Sequence, residues 1–420
     1  MACTIVSKKQ SFIDDLIWVL TTVLLSSFLL FDTNKWISYI LLAISIVIFL
    51  LSAWKNKGII HLAFDRYHMQ VFLFAMFCAC SALWAHSSSG DALTKGITVV
   101  EILICMSMLY TYYQTQPDVH GLIMSIKWAG FITTIYTFVF YGWSAIVSTV
   151  AQSERLTNAF ANINSVAMFS ALGLIVVCYQ WLYEGFSLNF IFGVPSVIIV
   201  AASGSRKAFV LAFVGVLLVF IMRYSSRNIF KNILKYFIII VGALFIFKLI
   251  SELSIFSGVM ERMDGLFALI TGKGTIDSSS SKRDLYMKIA FGQILENPIL
   301  GIGMDNARYV IGAKTGITTY SHNNFAELIC DGGVVGFCIY YSMYFYCLKN
   351  FIKYRNVGGS LTKVCLVLAI AMLLMDWGMV SYYSKSQYFY LMLFYLQVKN
   401  IRREIATDQS KTQECHGTLM

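Results

Sequence analysis

A histidine followed by two asparagines, His322-Asn323-Asn324, and three arginines, Arg155, Arg206 and Arg283, are the side chains of this sequence best suited to chemistry. Arginine's planar fork of donors matches phosphate oxygens, so three brought together would suit a pyrophosphate or another polyanion. Histidine is the base available at neutral pH, which a group transfer to a hydroxyl requires. Asparagine supplies the neutral donors and acceptors that sugar hydroxyls use. Besides Asn323 and Asn324, Asn158, Asn162 and Asn164 crowd the stretch "ERLTNAFANINS" around Arg155. Arg206 lies in the serine-glycine turn "SGSRKAF", and Arg283 opens the segment "SKRDLYMKIAFGQILENPILGIG". Taken singly, each arginine reads as an interfacial side chain snorkelling to headgroups. Metal binding is poorly supported, because His86, His120 and His322 are far apart and no pair has ligand spacing.

The histidine begins the stretch "YSHNNFAELICDGGVVGFCIYY". Asn324 followed three residues later by Glu327 has capping-box spacing, so a helix is predicted to start at Asn324 with His322 just outside it. Glu327 reads as part of that cap. Asp331 lies one turn further on the same face, where an acid in an apolar helix needs a structural or functional partner. Gly332, Gly333 and Gly336 would let a neighbouring helix approach closely.

These residues must be positioned by membrane spans. The 420-residue chain is 58% hydrophobic and 13% charged, against about a quarter charged in soluble proteins. Spans of roughly 20 apolar residues are predicted near 16–31, 36–54, 69–85, 96–113, 121–147, 163–182, 188–202, 206–222, 234–251, 326–348, 361–377 and 385–400. The pair 188–202 and 206–222 is short enough to be re-entrant. Fold class is therefore all-α, a polytopic membrane protein of about twelve helices: spans over 1–251, a large loop over 252–325, further spans over 326–400 and a tail over 401–420. Lys8 and Lys9 precede an apolar run with no small-residue cleavage site, which reads as an uncleaved first helix. The cysteines fall mostly in apolar spans without a C-x-x-C pair, as small hydrophobes.

The net charge of +10 could suggest a nucleic-acid partner, but most of it sits in short loops. With the N-terminus inside, eighteen lysines and arginines fall on cytoplasmic segments and six on short outer loops, the long 252–325 loop excluded, the asymmetry of the positive-inside rule. Both termini are then cytoplasmic, and His322 and the arginines face outward, Arg155 and Arg206 on short loops against the positive-inside bias. An enzyme working there has no nucleotide supply, so its donor must arrive activated and membrane-borne.

In the 252–325 loop, "GKGTIDSSSSKRD" is flexible by composition. The helix that follows has apolar spacing at Leu285, Ile289, Phe291 and Ile294–Leu295, and is expected to lie on the outer surface or plug the bundle. "GIGMDN" superficially suggests a phosphate loop, but no strand precedes it, and a tight turn after Pro298 is the better reading. A transporter of lipid-linked glycans is the alternative from another class. Internal symmetry and midplane charges would mark one, and neither is clear here.

The histidine stretch strongly resembles the signature of the O-antigen polymerase and ligase superfamily of bacterial membrane glycosyltransferases. "RLTNAFANINS", "SGSRKAF" and "KRDLYMKIAFGQILENPILGIGMDN" agree with it in order, over roughly 155–345. The resemblance implies an all-helical, GT-C-like fold and inverting-type glycosyl transfer on the periplasmic face of the inner membrane, without metal, nucleotide sugar or other cofactor. The donor would be a glycan on undecaprenyl pyrophosphate. A polymerase passes it to another lipid-linked repeat unit of O-antigen or capsule, with a chain-length regulator as a possible partner; a ligase passes it to lipid A-core. His322 would be the base, Arg206 and Arg283 would hold the pyrophosphate, and Arg155 would be a weaker member of that set. The wording "YSHNNFAEL…GGVVGF", the short 304–321 connector and the lack of a second histidine beside His322 look more like the polymerases.

Overall fold

Long apolar runs with few prolines can satisfy their backbone only within helices, and the chain folds accordingly. The computed structural model describes residues 2–31, 36–60, 62, 64–152, 154–156, 161–185, 188–224, 229–261, 263 and 278–417. Its helices are α1 (Ala2–Leu30), α2 (Trp36–Lys55), α3 (Arg66–Cys80), α4 (Ser89–Tyr113), α5 (His120–Tyr141), α6 (Trp143–Ala151), α7 (Ile163–Glu184), α8 (Gly193–Ala202), α9 (Arg206–Tyr224) and α10 (Ile229–Ser251), followed by α11 (Ser278–Gly292), α12 (Ala307–Thr315), α13 (Asn324–Tyr354), α14 (Gly359–Asp376) and α15 (Lys385–Gly417). No strand occurs among the described residues. The fold is an all-α polytopic membrane protein.

Among the described residues nine helices are long and apolar enough to cross a membrane, fewer than the twelve expected spans. The expected 69–85 span is a 15-residue helix followed by a 3-10 turn, and 188–202 ends as the 10-residue α8. The 385–400 run is the first half of α15, whose polar continuation extends to Gly417. Gly142, at φ 79, separates α6 from α5 inside the expected 121–147 span. Asn158 and residues 272–277 of the expected flexible segment lie outside the described residues. The rest of that segment is already helix, because α11 begins at Ser278.

The core is continuous through the bundle, with α7 against α5, α8 and α9, α3 against α4, and α13 against α3, α11 and α14. Two features of α13 matter for the site. First, it breaks at Gly333 (φ 59, ψ −163), a conformation open essentially to glycine alone. The break lets the Pro298–Gly303 turn dock edge-on: Ile302 and Gly303 donate to the Cys330 and Asp331 carbonyls, and Val334 and Val335 donate to the Pro298 and Ile299 carbonyls. Residues 298–303 are thus a tight turn, as expected. Second, Gly332 and Gly336 lie against Phe77 of α3, where a Cβ at Gly336 would stand 2.5 Å from the ring. Of the three glycines, two admit a helix and the third admits a loop.

Of the apolar positions predicted on α11, Ile289 is buried but most of the others are not. Tyr286, Ile289, Ala290 and, in the turn after it, Gln293 are buried, whereas Leu285, Phe291 and Leu295 are exposed. The helix packs against α13 and α12 rather than standing apart on the surface.

Candidate functional site

The local structure around His322 is set by polar groups that leave few alternatives. Asn323 is the N-cap of α13: its side-chain oxygen accepts the Ala326 N–H at 3.0 Å. The cap is therefore one residue earlier than the predicted Asn324. Glu327, buried, does not close a capping box; its carboxylate accepts the Ser321 N–H at 2.7 Å. Ser321 Oγ in turn receives the Asn323 N–H at 3.3 Å. Between these anchors His322 takes φ 61, uncommon for a non-glycine residue. Its half-buried ring lies 4.2 Å from that of Tyr320 and 6.4 Å from that of Tyr286, nearly parallel to the latter.

Asn324 and Asp331 are committed to structure. Asn324 Oδ1 accepts the Ser381 and Tyr382 N–H groups at 2.9 and 3.1 Å, and its amide donates to Tyr341 and Asp376. Asp331 accepts the N–H groups of Asp305, Asn306 and Ala307 at 2.9, 3.1 and 2.7 Å. It is a cap for α12 supplied from another helix, satisfying donors that a helix start leaves orphaned. This resolves why an acid sits inside an apolar helix. Lys95 pairs with Asp305 at 3.5 Å, and Arg308 pairs with both Asp305 at 2.7 Å and Asp91 at 2.9 Å, which pins the same turn to the start of α4.

Arg206 is brought in by a built turn. Gly204 takes φ 58, and Ser203 Oγ accepts the Ser205 N–H. Ser205 Oγ then accepts the Ala208 N–H in the first turn of α9. Arg206 and Lys207 thus head a helix whose N-terminal dipole favours anions. Lys207 donates to the Gly378 carbonyl, and Asn323 donates to the Trp377 carbonyl at 3.2 Å. The turn after α14 therefore ties α9 to α13.

These elements enclose a cavity of about 270 Å³ whose polar lining includes Arg206, Lys207, Arg283, Asp284, His322 and Asn323. Trp377, Leu374 and Met287 supply its apolar wall. The sequence-predicted His322, Arg206 and Arg283 come together here, from three elements far apart in the chain. Glu327 stands behind the histidine loop. Arg155 and Asn162 do not line the cavity. Arg155 is half-buried beside Leu156, whose N–H donates to the Ala202 carbonyl at the end of α8. Asn162 caps α7, its side chain accepting the Asn164 N–H at 3.0 Å. Lys207 was not singled out in the sequence; its place beside Arg206 on an outer loop was the available signal. Among the described residues no group of three or more His, Cys, Asp or Glu side chains converges to hold a metal ion.

The electrostatics of the cavity are strongly positive. Burial pushes the His322 imidazole down to about 3, and the Arg283 and Lys207 charges push the same way. The ring is therefore neutral at ordinary pH, with its lone pair available, beside the cationic side chains of Arg283 and Lys207. Tyr320, next to it, is held above its ordinary range chiefly by burial. A neutral base next to a cluster of cations, at the end of a membrane bundle, would suit transfer of a group that leaves as a phosphate ester.

No curated protein matches the chain. Residues 190–341, which hold His322, Arg206, Lys207 and Arg283, match the family model described as O-antigen ligase, a match that supports the resemblance to the O-antigen polymerase and ligase superfamily.

Proposed function

We propose that the protein is a membrane glycosyltransferase that polymerises lipid-linked repeat units of O-antigen or capsule. The donor is a glycan on undecaprenyl pyrophosphate and the acceptor a sugar hydroxyl on another lipid-linked unit, joined at the periplasmic face of the inner membrane. The observation that carries this reading is the convergence of His322, Arg206, Arg283 and Lys207 on one cavity. In the reaction His322 takes the acceptor hydroxyl proton as that oxygen attacks the anomeric carbon. The bond from that carbon to the pyrophosphate oxygen breaks, and the carrier leaves as its pyrophosphate, its charge held by Arg206 and Arg283. The inverting outcome follows from a single displacement, and neither a metal nor a nucleotide sugar takes part. Arrival of the pyrophosphate also offsets the cations beside His322, which raises the basicity of the imidazole when the acceptor must be deprotonated.

The test is genetic and chemical together. His322→Ala should leave the protein in the membrane but abolish long glycan chains; normal chain ladders in that strain would sink the reading. The family description favours a second reading, ligation to lipid A-core. A deletion strain separates the two. Single repeat units on the core indicate a lost polymerase, whereas long chains stranded on the carrier indicate a lost ligase.

A further inference from the structure

Two residues that line the His322 cavity are unsuited to holding a diphosphate. Trp377 carries an indole that is 63% exposed although the residue lines the cavity. Asp284 is the acidic side chain among the described lining residues, and beside a diphosphate its charge would repel.

Trp377 follows the last residue of α14 as its C-cap and is held from the reacting side of the cavity. Its carbonyl accepts the Asn323 amide at 3.2 Å. The carbonyl of the next residue, Gly378, accepts the Lys207 ammonium. The ring of Phe325 lies 6.2 Å from the indole and stacks in turn on Tyr341 at 4.8 Å. The indole is thus braced at one side while most of its surface stays open. A tryptophan that served only the aromatic belt of a membrane interface would need none of these ties. Asp284, on α11, pairs through one oxygen with Lys288 at 2.6 Å. Lys288 is 71% exposed and is not among the described lining residues. The lysine therefore holds the carboxylate from the solvent side while Asp284 itself lines the cavity. An open aromatic face and a charged hydrogen-bond acceptor beside a neutral histidine match a sugar ring. Its C–H face packs on an aromatic ring, and its hydroxyls donate to a carboxylate.

We infer that Trp377 and Asp284 form the subsite for the acceptor sugar: the ring lies on the indole, Asp284 accepts one hydroxyl, and the hydroxyl that reacts is thereby turned toward His322. The inference rests on the reading of His322 as the base of a glycosyl transfer. It divides the cavity by charge. Arg206, Lys207 and Arg283 meet the donor's diphosphate, whereas the indole and the carboxylate select the acceptor ring and the hydroxyl that attacks.

The test uses the full-length protein in nanodiscs. The probe is the free repeat-unit oligosaccharide released from the strain's own lipid carrier, which has sugar hydroxyls but no diphosphate. Saturation-transfer NMR should detect its binding to the wild type. Trp377→Ala should weaken that binding about tenfold, the scale of one stacked ring, and Trp377→Phe should restore most of it. Asp284→Ala, which leaves the indole in place, should weaken it severalfold. Trp143→Ala removes a tryptophan that is 62% exposed and not among the described lining residues; it should match the wild type. In single-transfer assays with a pre-extended chain as donor and single units as acceptor, Trp377→Ala should raise KM for the acceptor and leave that for the donor. Unchanged oligosaccharide binding in Trp377→Ala and Asp284→Ala, an equal loss in Trp143→Ala, or equal KM changes for donor and acceptor overturns the inference. Glycosyl transfer that ignores both variants sinks the subsite and spares the proposed function. Oligosaccharide binding that depends on Trp377, in a protein that transfers no glycan, sinks the function and spares the sugar platform.

Discussion

His322 is held at a positive φ that costs a non-glycine residue about 1–2 kcal/mol, by a loop anchored through Glu327 and the Asn323 cap. Burial first, then Arg283 and Lys207, keep its imidazole near 3, below the ordinary value near 6.5. The linkage sign follows. Below pH 6.5 the unfolded chain takes up a proton that the folded site refuses, so stability is full above that pH and falls as pH drops toward 3. His322→Gln should flatten the decline of melting temperature between pH 6.5 and 4 in purified protein. An unchanged slope would show that burial and the cations do not hold this ring neutral. Asp331 allows a different prediction. Its two oxygens accept three N–H groups, and Asp331→Asn would turn an NH2 toward them. A loss of about 2 kcal/mol is expected for that mismatch, read as a lower melting temperature with the 305–307 turn becoming protease-sensitive. Wild-type stability in Asp331→Asn would mean that the carboxylate is not the cap.

At the scale of elements, the Gly333 break decides how the 298–303 turn docks on α13. A Cβ at Gly333 would fall on the Ile299 carbonyl, and φ 59 strains any L side chain there, whereas a Cβ at Gly336 meets only the Phe77 ring. Gly333→Ala should therefore destabilise more than Gly336→Ala, by about 1–2 kcal/mol from backbone strain alone. Thermal melts of the two variants give the order, and a reversed order would refute the docking. Much of this architecture was legible in advance. Hydropathy located the main spans, Pro298 the turn, and residue type the pairing of His322 with Arg206 and Arg283. The inward face of α11 was not legible. Leu285 and Leu295 are exposed while Gln293 is buried, because the buried side is set by where α13 and α12 dock on the helix, which its own spacing does not encode. The roles of Asn324 and Asp331 were equally hidden, since each bonds to backbone groups of segments distant in the chain. Sequence spacing carries no signal for those contacts.

For the whole molecule, the two ends of the bundle carry different chemistry. At one end, Arg206, Lys207 and Arg283 gather around His322. At the other, basic side chains are tied to the protein itself: Lys55 to Asp14 at 2.5 Å, Lys399 to Asp65 at 3.5 Å and to Gln114 at 3.0 Å, and Arg403 to the Gln114 carbonyl at 2.9 Å. The first end presents Arg206, Lys207 and Arg283 to a cavity that His322 also lines. The positive-inside count predicts that this end is the outer one, and labelling can decide it. In a background lacking all ten native cysteines, Thr318→Cys, four residues before His322, should react with a membrane-impermeant maleimide on intact spheroplasts. Val357→Cys, in the loop between α13 and α14, should react only after lysis. Both positions are exposed, so a failure to react reports the membrane barrier rather than burial. The opposite pattern would put the cavity in the cytoplasm, where nucleotide sugars are available. The need for a carrier-borne donor would then vanish, and with it the reason to read the cation cluster as a site for a lipid diphosphate.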